Sequence, residues 1–122
     1  MSDAWRRQYE FVETSGLADD EAALVWISAV LGTTLPRPLH AALRGGDVLC
    51  RLLNKIRPGS VKGSNEEPSG SPFQQLSRID ADLTACKQLA FRQTFMSVDL
   101  HDQRDLRAVV RQLWALAAAA QN

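Results

Sequence analysis

The chain is poor in the residues that build most active sites, metal centres and membrane spans. Its 122 residues include only two histidines and two cysteines. Cys50 and Cys86 stand far apart and form no C-x-x-C pair, which argues against a zinc site or a redox motif. They read best as buried free thiols in a reducing compartment. No apolar run approaches the ~20 residues that a bilayer-spanning helix needs. No N-terminal stretch joins a basic start to an apolar run. The expectation is a soluble, cytoplasmic protein with no membrane partner. Charge of one sign is also missing: 14 basic and 14 acidic residues cancel, which weighs against a nucleic-acid partner. Convincing strand alternation and internal repeats are absent as well.

Residue clusters that could do chemistry fail on spacing. His40 and His101 lie far apart in sequence and read as surface or turn residues. Asp99, His101 and Asp102 offer three ligand types, yet without the spacing of a metal cage, and they stand before a helix start that favours acids. Gly59 to Ser64 has a lysine between two glycines, but Lys62 precedes the second glycine and no strand leads in, unlike a phosphate loop. The Gly45–Gly46 pair is no dinucleotide fingerprint. The reading is therefore a non-enzyme, with no catalytic residue, no metal and no cofactor.

What the chain does have is a 45% hydrophobic composition, enough for one domain with a real core. Its periodicity is helical throughout. A short helix is expected over Asp3–Glu13, with Trp5, Tyr9 and Val12 on one side, followed by a break at Ser15–Gly16. The next runs from about Asp19 to Leu31, with three acids in its first turn suiting the dipole. Its seam is Leu24, Ile27 and Leu31, and Trp26 lies at the flank. A helical turn is expected over Leu39–Arg44. Leu49, Leu52, Leu53 and Ile56 fall at i, i+3, i+4 and i+7 of a further helix, which Arg57, Pro58 and Gly59 end. Gly59 to Pro72 reads as an exposed, mobile loop. A helix then begins near Ser71 or Pro72 and carries Leu76, Ile79, Leu83, Cys86 and Ala90. Residues 91–101 look irregular, anchored by Phe95, Met96, Val98 and Leu100. The last helix is expected from about Asp102 to Ala119. Trp26 and Trp114 read as core or core-rim residues, and Trp5 as partly exposed.

Charge is unevenly spread. Residues 1–23 carry six acids and two bases, whereas residues 24–65 carry one acid and six bases. On the expected last helix, Arg104, Arg107 and Arg111 fall at i, i+3 and i+7, opposite the Leu106–Leu113 seam. That makes a basic exposed face, either plainly solvated or a docking surface for an acidic partner. Arg37, Arg44, Arg51, Lys55, Arg57 and Lys62 supply a second, discontinuous basic region.

Four blocks stand in order between about residue 20 and residue 118. Ala22 to Gly32 (AALVWISAVLG) holds a Trp26–Ile27 pair. Leu43 to Val61 (LRGGDVLCRLLNKIRPGSV) is the longest block. Phe73, Leu76, Ile79, Leu83, Ala85, Cys86 and Lys87 form the third. The fourth is the Asp99–Leu100 pair with the helix from Asp105–Leu106 to Leu116. In these blocks the chain resembles a calponin-homology domain of the single-copy type found in calponin and transgelin. Gly45, Asp47 and Asp82 depart from the pattern. Asp82 stands where the family usually has a core phenylalanine, and at the edge of its seam it is expected to reach solvent or a cation. Asp82→Phe is expected to be neutral or stabilising.

The resemblance implies an all-α, compact calponin-homology-like bundle of about four main helices plus short helices. Residues 1–18 would form an N-terminal extension with a short helix, residues 19–119 the domain and residues 120–122 a tail. It implies a non-enzymatic cytoskeletal interaction module, actin-binding or adaptor. Its partner would be F-actin or an actin-associated protein, and the alternative is a microtubule- or flagellum-associated scaffold binding tubulin polymer. One copy is expected to be a monomer and to bind filaments less strongly than a tandem pair. Arg104, Arg107 and Arg111 are the candidate contacts.

Overall fold

A computed structural model describes residues 19–89 and 94–120. The helix expected over Asp3–Glu13, the seam residue Ala90 and the end of the tail lie outside the described residues. Helix α1 spans Asp19–Leu31. Ala22, Ala23, Leu24, Trp26, Ile27 and Val30 are all buried, so apolar residues cover more than one stripe. Such a helix belongs at the centre of a bundle, and α1 packs against three other helices. Trp26 is therefore not a flank residue. It is fully buried, and its ring faces that of Trp114 at a centroid distance of 6.4 Å and a tilt of 46°.

Short helix α2 spans Leu39–Leu43, and α3 spans Asp47–Ile56. Between them Gly46 takes φ 78°, and a Cβ there would stand 2.7 Å from the Cβ of Arg78 and 2.8 Å from the amide nitrogen of Ile79. Only glycine combines that backbone with so close an approach. Val48, Leu49, Cys50, Leu52, Leu53 and Ile56 of α3 are buried.

The segment after α3 is exposed over most of its length, but it is pinned rather than loose. Asn54 donates from Nδ2 to the carbonyl of Val61 at 3.1 Å and accepts the Val61 amide on Oδ1 at 3.0 Å. By using one N–H donor and the oxygen acceptor of its amide, the side chain closes the turn as a backbone partner would. A single 3-10 turn follows over Gly63–Glu66. Helix α4 spans Pro72–Gln88, with Ser71 as N-cap accepting from the Gln74 amide and proline at the first position. Gln75 ties the loop down by donating to the Ser69 carbonyl at 2.7 Å.

Residues expected to be irregular include helix α5, Ser97–His101, whose first turn is held by Asp99 accepting the Met96 amide at 2.8 Å. The last helix, α6, spans Leu106–Ala120. Helices α1, α3, α4 and α6 are the main bundle, and side chains from all six described helices join one core. No strand occurs among the described residues. The all-α fold is as expected.

Three further side chains depart from their expected places. Met96, expected as an anchor, is 68% exposed. His101 is buried, not superficial. Its Nδ1 meets Asp102 and its Nε2 meets the Gln75 side-chain oxygen, each at 2.9 Å, while its carbonyl accepts from His40 Nε2 at 2.9 Å. Partners 26 and 61 positions away made this site invisible to local pattern. Asp82, expected to reach solvent or a cation, is instead only 2% exposed, and its buried Oδ2 has no hydrogen-bond partner among the described residues.

Candidate docking surface on the last helix

The last helix starts four residues later than its periodicity suggests, and this divides the three arginines. Asp105 and not Asp102 caps it: the Asp105 carboxylate accepts the Ala108 amide at 3.1 Å. Gln103, at φ 57°, turns the chain out of α5 just before. Arg104 therefore sits in the connecting turn, exposed, and its charge helps to hold the Asp102 carboxyl below its usual range, after the larger effect of the His101 hydrogen bond. Its placement on the helix face is corrected on that ground. Arg107 and Arg111 are on α6, one turn apart and both exposed.

These two arginines rim an open groove of about 490 Å³. Leu106, Val110 and Trp114 provide its apolar part, and Asp20, from the first turn of α1, closes the other side. The apolar stripe of α6 explains the arrangement. Val109, Leu113, Leu116 and Ala117 point into the core, so the residues beside them on the wheel form the groove floor and the arginines its edge. A surface of this kind can hold an extended or helical segment with apolar side chains and acidic flanks. The second basic region does not gather: Arg57 lines one shallow groove beside Pro58 and Leu89, Arg37 another beside Leu24 and Leu35, and Arg51 with Lys55 a third beside Glu66.

Among the described residues, the buried groups Asp82, Cys50 and Cys86 do not line this groove. Burial pushes the Asp82 carboxyl up to about 8. Burial likewise pushes the Cys50 thiol up to about 12, with the charges of Asp82 and Asp47 adding to it, and pushes Cys86 up as well. Both thiols are free, as expected, and Cys50 donates to the Arg78 carbonyl at 3.3 Å. Protonated thiols in a dry interior are poor nucleophiles and poor ligands. Among the described residues no group of three or more histidine, cysteine or acidic side chains could hold a metal ion, and no helix is long and apolar enough to cross a membrane.

The described residues thus form an all-α bundle with an arginine-edged groove on its outside. The comparisons with known proteins agree with that class. The model of the calponin homology (CH) domain matches residues 17–122, and the chain belongs to this family. Myophilin of Echinococcus granulosus is 37% identical over 84% of this chain and 56% of its own length. Muscle-specific protein 20 of Drosophila melanogaster is 30% identical over 82% of this chain and 55% of its own. Rac guanine nucleotide exchange factor B of Dictyostelium discoideum is 34% identical over 83% of this chain but only 9% of its own length. The chain thus spans little more than half of the first two relatives and a small part of the third. No solved structure gives a significant match. The family is one of non-catalytic domains associated with the actin cytoskeleton.

Proposed function

We propose that this chain is a single, monomeric docking module of the cytoplasmic actin cytoskeleton. It binds an acidic surface of F-actin, or of a protein attached to it, through the basic edge of α6. The observation that carries this reading is the pair Arg107 and Arg111, exposed one turn apart above an apolar groove. Arg104 is a peripheral contact at most, because it stands in the turn beside Asp102. Family membership and the likeness to a muscle-specific protein support the actin side of the assignment. Electrostatic steering by a small basic patch favours a filament, whose repeating acidic surface multiplies weak contacts.

Parallel pelleting of the chain with actin filaments and with tubulin polymer tests the choice of partner. Enrichment in the actin pellet that decreases with added salt is the expected result. Enrichment with tubulin polymer alone would replace this reading with the microtubule scaffold.

A further inference from the structure

His101 does not line the groove on α6, and it is bonded on both sides of its ring. It stands at the end of α5 with only 6% exposure. On one side, Nε2 lies 2.9 Å from the side-chain oxygen of Gln75 in α4. The orientation of that amide is fixed at its other end, where Gln75 Nε2 donates to the Ser69 carbonyl at 2.7 Å. An amide oxygen only accepts, so the proton of the contact belongs to His101 Nε2. On the other side, Nδ1 lies 2.9 Å from the Asp102 carboxylate. That carboxyl is held below its usual range, first by this hydrogen bond and then by the charges of His101, Arg104 and Arg44. An ionised carboxylate also only accepts, so Nδ1 carries a proton as well. A ring that donates from both nitrogens is an imidazolium.

Helices α2, α4 and α6 pack on α5. From α2, His40 donates through Nε2 to the His101 carbonyl at 2.9 Å, a bond that either charge state of His40 can make, and Arg44 follows at the end of that helix. On α4, Arg78 donates to the Gln74 carbonyl. On α6, Arg107 and Arg111 edge the groove. Asp99 and Asp105 are engaged with the Met96 and Ala108 amides.

We infer that His101 is a proton-held latch on the loop before α4: as an imidazolium it keeps the Gln75 amide on Ser69, and loss of its Nε2 proton releases that tie. Histidine is the side chain whose charge changes near neutral pH. A neutral ring keeps the Nδ1 proton, because the partner there is charged. Nε2 then presents a lone pair to the Gln75 oxygen. If the contact parts, Gln75 leaves its place; if the amide turns over, its oxygen faces the Ser69 carbonyl. Either way the bond to Ser69 is lost. The remaining ties of Ser69 run through its hydroxyl at the exposed surface. The start of the same segment is held by the Asn54 amide on Val61, where nothing titrates. Only the α4 end therefore loosens as pH rises, whichever partner the module docks to.

Nitrogen-15 spectra of the histidine rings and hydrogen exchange of the side-chain amides, recorded on the full chain at pH 5 and pH 8, provide the test. At the lower pH both His101 ring nitrogens should carry protons. At the higher pH Nε2 alone should be bare. The Gln75 amide should then exchange about tenfold faster, relative to the Asn54 amide, than at the lower pH, the size of one lost charge-assisted hydrogen bond. The ratio cancels both the ordinary rise of exchange with pH and any loosening of the whole fold. In Asp102→Asn the new amide can turn to donate to Nδ1, so a neutral ring keeps its Nε2 proton and the ratio should be the same at both pH values. An equal ratio at both pH values in the unaltered chain would overturn the inference. So would a ring that gives up the Nδ1 proton first, or a tenfold rise that persists in Asp102→Asn.

Discussion

Asp82 is the residue whose chemistry departs furthest from its surroundings. A carboxyl at 2% exposure with an unpartnered oxygen is tolerable only as the neutral acid, and its proton is accordingly held up to about pH 8. The linkage has a definite sign. The folded chain binds this proton more tightly than the unfolded chain, where an aspartate titrates near about 4. The stability it permits is complete below that value and is lost as pH rises towards about 8. Asp82→Leu is expected to raise the melting temperature at pH 8 by several degrees, corresponding to roughly 1–4 kcal/mol. It should also flatten the decline of melting temperature between pH 5 and pH 8. An unaltered or lowered melting temperature at pH 8 would show that the carboxylate has a favourable native partner. Sequence did reveal that an acid replaces an apolar family residue here. It did not reveal full burial, because an edge position on α4 becomes interior only when α3 packs against that helix.

At the scale of elements, the junction of α2, α3 and α4 depends on a backbone that only glycine provides. Gly46→Ala combines a left-handed residue with a Cβ forced into Arg78 and Ile79. It is expected to cost about 2–5 kcal/mol, measurable as a lower denaturation midpoint with an unchanged slope. A cost under about 0.5 kcal/mol, the size of an ordinary surface change, would mean that α3 shifts freely against α4. Helix ends were readable where the signal is local: Ser71–Pro72 starts α4, and the cation, proline and glycine after Ile56 stop α3. The start of α6 was not. Asp102 and Asp105 are both plausible caps, and the left-handed turn at Gln103 decides between them. That turn moved Arg104 off the helix and left two arginines as the basic edge. The clamp of Asn54 on Val61 was likewise hidden, since composition reads Gly, Ser and Pro as loop and does not register a single amide that fixes it.

At the scale of the whole molecule, the described residues share one core, in which the indole of Trp26 is fully buried. Trp26→Ala is expected to cost about 3–5 kcal/mol, a large share of the roughly 5–15 kcal/mol that holds such a domain together. A thermal melt shifted by only a degree or two would contradict that burial. Helical periodicity was enough to foresee the all-α bundle, because each amphipathic stripe of α3, α4 and α6 names its own buried face. The groove was not foreseeable in the same way, since its walls come from the first turn of α1 and the middle of α6, 86 to 94 positions apart. Only the arginine spacing signalled it.

The most direct trial of the docking account is the affinity of the chain for actin filaments, measured across a salt series beside Arg107→Glu/Arg111→Glu. The account predicts that the double variant melts as the unaltered chain does yet binds about tenfold more weakly at low salt, because two attractions become repulsions. The difference should narrow as the screening length falls from about 30 Å at 0.01 M salt to about 8 Å at physiological ionic strength. Equal affinities of the two proteins at every salt concentration would contradict it.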